Sequence, residues 1–199
     1  MSGSISARVT AQLPSRSTGR SGPVPATEQV VVFHIGAQYN HPLGPLAPGS
    51  REVASRFAEL FVDLTKRADE YGLLGGSSWT ASERDTNNTT MLIGYFRDVE
   101  GLNRFAHDPM HREAMDWWNK VKDELPHIGI FHETFVSPPG GYETIYHHMR
   151  PILMGRTSVR CKTEEGEAWV NPLVSADNTT LRAQYGRMGR KGRQEELDV

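Results

Sequence analysis

Apolar positions along the chain follow two rhythms, and their alternation lays out a fold. From Gln29 to Tyr39 (QVVVFHIGAQY) the β-branched and aromatic content is that of a strand, with Val30, Val32 and His34 on one face and Val31, Phe33 and Ile35 on the other. The proline- and glycine-rich run at residues 41–49 predicts a loop, after which Ser50 is placed to cap a helix. Between Arg51 and Tyr71 the residues Val53, Phe57, Leu60, Phe61, Leu64, Ala68 and Tyr71 recur at helical spacing, and Gly72 ends the pattern. Leu73 to Ala81 reads as a second strand, weakened by Gly75 and Gly76, where a ligand or another backbone has room to approach. A polar turn at residues 83–88 leads to a third strand, Thr89 to Arg97. There Met91, Ile93, Tyr95 and Arg97 face away from Leu92, Gly94 and Phe96. Asp98 is placed to cap a short helix, and Asp108 with Pro109 begins another that runs to Leu125. His111, Met115, Trp118 and Lys122 form one of its stripes.

After Pro126 the alternation returns. Ile128, Ile130, His132, Thr134 and Val136 share one side of a strand, with Phe131, Glu133 and Phe135 on the other. Both sides are largely apolar, which predicts a strand covered on two faces and places His132 and Glu133 in opposite buried layers. The sequence then breaks at residues 137–141 and resumes as a short extended run at 142–148. Strand, helix, strand, strand, helix, strand is the split βαβ order of a ferredoxin-like α+β domain. Helices cover one face of such a sheet, and the apolar residues left on the other face call for a homodimer. The expected boundaries are a disordered leader at 1–27, the domain at 28–155, and a C-terminal arm with a polar tail at 156–199.

Composition narrows the function classes. With 22 basic and 24 acidic residues the net charge is −2, so no global basic field argues for nucleic acid. The single cysteine, Cys161, cannot close an internal disulfide and excludes a cysteine-based structural zinc site. No apolar run reaches the roughly 20 residues of a membrane span, and the N-terminus lacks a secretory core, so a cytoplasmic protein is expected.

The chemistry-bearing residues suggest a small-molecule pocket. His34, Trp79, Tyr95, His111, Trp118 and His132 combine apolar rings with a few polar groups, the ordinary make-up of a substrate site. A histidine near neutral pKa can take a proton from a phenol or an acidic carbon, and the resulting anion can react with dioxygen or rearrange. No metal is needed. The competing reading is an aromatic core with satisfied histidines and no chemistry. Gly75–Gly76 lacks the pattern of a phosphate loop, and no serine sits in a nucleophile elbow.

Three stretches carry a resemblance. VVFHIGAQYN, TTMLIGYFRDVEGLNRFAHDPMHREAMDWWNK and HIGIFHETFVSPPGGYETIYHHM resemble, in order, the motifs of a family of dimeric α+β barrel proteins. That family includes the monooxygenase-like component of fungal fumagillin biosynthesis. The likeness spans about residues 29–155, with the Gly-Ile-aromatic-His-Glu-Thr-aromatic signature on residues Gly129 to Phe135 and the His-Asp-Pro turn on His107, Asp108 and Pro109. It implies a dimeric α+β barrel and a secondary-metabolism enzyme that oxygenates, cyclises or rearranges an apolar polyketide or terpenoid-like substrate without a cofactor. His132, Glu133 and His111 would be catalytic, and His34, Trp79, Tyr95, Trp118 and Phe131 would bind substrate. Relatives of the fold that bind haem make a haem enzyme one alternative, with His111 or His132 as axial ligand. A non-catalytic binding protein is the other.

Overall fold

A computed structural model describes residues 7–82, 85 and 88–190. The remainder of the expected turn at 83–88, the first six residues of the leader and the tail from 191 lie outside the described residues. The elements, in chain order, are β1 (Arg8–Ala11), β2 (Val30–Tyr39), α1 (Ser50–Lys66), α2 (Ala68–Tyr71), β3 (Leu73–Thr80), β4 (Thr89–Phe96), α3 (Val99–Ala106), α4 (Pro109–Val121), β5 (Ile128–Ser137), β6 (Tyr146–His147), β7 (Val159–Thr163), β8 (Gly166–Val170), β9 (Leu173–Ser175) and α5 (Gln184–Arg187). They fall into two compact units: residues 31–135, and the two chain ends on either side.

The central unit has the expected split βαβ order. Its four strands lie as β3-β4-β2-β5, with β4 antiparallel to both β2 and β3. Val31 lies opposite Phe96, Phe33 opposite Gly94 and Ile35 opposite Leu92, so one face of the sheet is continuously apolar. Against it pack Leu64, Tyr71, Leu102 and Phe105 from the helices, with Phe33, Leu60 and Phe61 at the margin. Burying each such side chain stabilises the fold by roughly 1.5–3 kcal/mol. A second cluster joins Ala37, Tyr39, Val53 and Ile128 to Phe57, Trp117, Trp118 and Leu125.

Local signals set the helix ends. The Asp98 side chain accepts from the Gly101 N–H at 2.7 Å and Asp108 accepts from the Met110 N–H at 3.0 Å, as the capping pattern predicts. Gly72, at φ 67, closes α2 in the left-handed region, where a side chain would be strained. Ser50 corrects an expectation: it is the first helical residue, preceded by Gly49 at φ 77, and its hydroxyl makes no capping bond. The helical stripe from 51 to 71 is also divided, with Arg67 separating α1 from α2.

Strand β5 departs further from its predicted environment. It stands at the edge of the sheet, and residues 129–136 are exposed, so within the single chain His132 and Glu133 are not in buried layers. Apolar alternation on both faces marked a strand able to be covered, but the helices of this chain reach only its first residue, Ile128. The run at 142–148 shrinks to β6, which pairs with β1 and not with the four-stranded sheet. His148 lies in the left-handed region at φ 53, and its ring centroid is 4.1 Å from that of His147.

The chain ends form a unit that periodicity did not announce. The expected leader instead contributes β1 to a three-stranded antiparallel sheet, β6-β1-β9, while β7 and β8 form a separate hairpin. Thr10, Ala11, Gln12 and Leu13 are buried, as are Cys161, Ala176 and Leu181 from the far end of the chain. Arg187 donates to Glu143 at 2.7 Å and to the Leu181 and Arg182 carbonyls. Four residues of strand carry too short an alternation to register, and their partners lie more than 130 positions away.

Candidate functional site

The helix-covered face of the central sheet holds a cavity of ≈ 70 Å³. Its walls are Phe33 and Ile35 of β2, Phe57, Leu60, Phe61 and Leu64 of α1, Leu92, Gly94 and Phe96 of β4, Leu102, Phe105 and Ala106 of α3, and His111. His111 is the single ionisable group in that lining.

Its environment follows from the turn that delivers it. Pro109 starts α4 and puts His111 in the first turn, while His107 stays behind as the cap of α3, with its Nδ1 2.8 Å from the Asn103 carbonyl. Asp108 fixes the turn. Its Oδ2 accepts from the Tyr71 hydroxyl at 2.7 Å and from Arg67 Nη1 at 2.9 Å, and Arg67 also grips Glu70 and Asp63. The Tyr71 hydrogen bond holds the Asp108 carboxyl below the usual carboxylate range, helped by the Met110 amide and Arg67. Burial and the same bond push the Tyr71 phenol up.

The His111 ring lies edge-on to Phe105, with centroids 5.3 Å apart. Its Nδ1 is buried and has no hydrogen-bond partner. Burial lowers its pKa from 6.5, against the opposing pull of a backbone hydrogen bond at Ala106 and the charge of Asp108. A position near a helix N-terminus also disfavours a cation. The result is an imidazole held neutral at the edge of an apolar hollow, with Nδ1 shielded from water.

The other residues singled out from sequence do not join it. His132 lies beside Phe33, with rings 5.9 Å apart, on the exposed edge strand. Trp118 packs with Trp117 in the second apolar cluster. His34, Trp79, Tyr95, Phe131 and Glu133 belong to the opposite face of the sheet: His34 Nδ1 is 3.5 Å from Glu133 and its ring 5.6 Å from Phe135, and Trp79 is registered with Met91. The expected pocket of six residues thus separates across the sheet, because alternation divides even from odd positions and those residues came from both sets. Sequence reasoning missed Arg67 and Tyr71 as the clamp on Asp108. It read Phe57 and Phe61 only as core, although their four-residue spacing is what turns both rings toward the sheet.

The hollow beside His111 does not fit a haem. At ≈ 70 Å³ and walled by five phenylalanines it has no room for a macrocycle, and the larger groove next to it, of ≈ 410 Å³, has no histidine in its lining. Among the described residues, no three His, Cys, Asp or Glu side chains converge as metal ligands, and no helix is long and apolar enough to cross a membrane.

Comparison with known proteins now fixes the lineage. Residues 30–154 match the family described as monooxygenase af470-like. The chain belongs to that family. Monooxygenase af470 of Aspergillus fumigatus is 45% identical over 188 residues, covering 94% of this chain and 67% of its own. Among solved structures, an aldoxime dehydratase in complex with butyraldoxime superposes with a TM-score of 0.53 at 14% identity. It covers 74% of this chain, which spans only 39% of the dehydratase. SnoaB, a cofactor-independent oxygenase from Streptomyces nogalater, aligns at 17% identity over 54% of this chain and 91% of its own, with a TM-score of 0.35. The fold class is the α+β arrangement of dimeric α+β barrels.

Proposed function

We propose that the protein is a cofactor-free monooxygenase of small-molecule biosynthesis, acting on an apolar phenolic or enolisable substrate with His111 as the proton-transfer group. The family membership supports the reaction class, and the buried, unpartnered Nδ1 of His111 is the observation that carries the assignment. His111 takes the acidic proton, the resulting electron-rich anion adds dioxygen at carbon, and protonation gives a hydroperoxide. Loss of water then leaves a carbonyl. For 1-naphthol the balance is naphthol plus O₂ to 1,4-naphthoquinone plus water, with no external reductant. The surrounding rings keep bulk water from quenching the anion. His132 and Glu133, at the exposed edge strand, are assigned no proton transfer within the single chain.

Oxygen uptake with 1-naphthol tests this. His111→Gln should lower the rate at least about 100-fold, the usual size of a general-base contribution. Wild-type rates in a folded His111→Gln protein would reject the assignment.

A homodimer is the second part of the proposal. Phe131 and Phe135 are 36% and 51% exposed, and they share a sheet face with the His34–Glu133 contact, a surface that a second copy would cover. Light scattering should report twice the chain mass, reduced to one by Phe135→Glu; a wild-type monomer at micromolar concentration would remove this part.

A further inference from the structure

The His111 cavity does not stand alone. A groove of ≈ 410 Å³ runs between α1 and strands β2, β3 and β4, and it shares Ile35, Phe57, Phe61 and Leu92 with the cavity. These four side chains line both spaces, which therefore adjoin along them. On the groove side α1 presents Ala54 and Ala58, one turn apart and both exposed, where larger side chains would close the gap. Gly76 sets the position of one of them: a Cβ there would meet the Phe61 ring at 3.0 Å and the Ile93 carbonyl at 3.0 Å, so the ring lies directly against the strand.

The chemistry of the two chambers differs. The inner one ends at an imidazole, whereas no charged side chain lines the groove, whose polar groups are the hydroxyls of Tyr39, Ser78 and Thr90. A ligand filling both has a compact acidic head and a longer uncharged apolar remainder. The groove falls within the roughly 300–1,000 Å³ of ordinary small-molecule sites, while the inner chamber alone falls well short.

We infer that the substrate is a phenol- or enol-headed molecule carrying an extended hydrocarbon chain, with the head at His111 and the chain along the Ala54–Ala58 groove. This rests on the reading of His111 as the base. Ala54 and Ala58 are then specificity determinants for chain length, and Phe57 and Phe61 set where head ends and tail begins.

Calorimetric titration with 2-methyl-1-naphthol and 2-octyl-1-naphthol tests the inference without requiring turnover. Each methylene that enters the groove should tighten binding about fourfold. The octyl compound should therefore bind at least about 100-fold more tightly to the wild-type protein. Ala58→Trp should cut that ratio to below about tenfold. Ser78→Trp, which fills the groove from the opposite wall, should do the same and keeps the test decisive if either variant fails to fold. A ratio near one in the wild-type protein, or an equal ratio in wild type and both variants, overturns the groove assignment. His111→Gln separates the two readings: it should abolish turnover and preserve the chain-length ratio. Preserved turnover with a groove-dependent ratio would sink the base and spare the groove.

Discussion

The central unit and the unit built from the chain ends obey the same physics but advertise it differently. In the central unit most elements carry two or more turns or a full strand of periodic apolar residues, even though β2 finds its sheet neighbours β4 and β5 far along the chain. In the terminal unit, a four-residue strand near the N-terminus pairs with β6 and β9, more than 130 residues away. Local pattern reveals the first and is nearly silent about the second. The two units also differ in their buried polar groups: the His111 imidazole lies in the central unit, and the buried Arg187–Glu143 pair lies in the terminal one.

The largest expected effects break each unit at its own core. Phe96, fully buried between sheet and helices, should cost about 3–5 kcal/mol as Phe96→Ala, read by denaturant unfolding. A loss under 1 kcal/mol would mean that the central core is not packed as described. Arg187→Ala leaves Glu143 largely buried and unpaired and should cost on the order of 3 kcal/mol. Hydrogen exchange should then show protection lost at β1 and β9 before β2 and β4. Equal loss in both sheets would erase the distinction between the units.

A smaller effect sharpens the site. Tyr71→Phe removes the strongest hydrogen bond to Asp108 and should cost about 1.5–3 kcal/mol, the range for a bond to a charged partner. The pH dependence carries a definite sign. The Asp108 pKa is depressed in the folded state, so its contribution is present above the ordinary carboxylate value near 3.9 and is lost as pH falls through the folded value. Tyr71→Phe should flatten that acid limb. For His111 the folded pKa is also depressed: below about 6.5 the unfolded chain binds the extra proton first, so stability declines as pH falls from there toward the folded value. His111→Gln should remove this segment, and an unchanged profile just below pH 6.5 would contradict the burial described.

How much of this was legible in the sequence depends on what each feature needs. The split βαβ order, the Asp98 and Asp108 caps and the stop at Gly72 are local, and they stood out as residue types at fixed offsets. His111 was legible as a candidate because it rides an apolar stripe directly after a proline start. Its isolation from His34 and His132 was not legible, since that depends on which sheet face the helices cover. The clamp of Arg67 and Tyr71 on Asp108 joins positions 37 and 41 residues apart, beyond any helical or strand period. The exposure of β5 in the single chain was not legible for a related reason: alternation records what a strand can bury, and coverage depends on the partner that arrives.

The central claim is that the fold keeps one imidazole neutral at the wall of an apolar chamber, and the proposed proton transfer needs its Nδ1 unprotonated. Nitrogen-15 NMR titration of His111 addresses it directly. The expected result is a midpoint below 6.5 and an Nδ1 shift characteristic of an unprotonated nitrogen at pH 7. A midpoint above 6.5, or a proton resident on Nδ1 at pH 7, would contradict it.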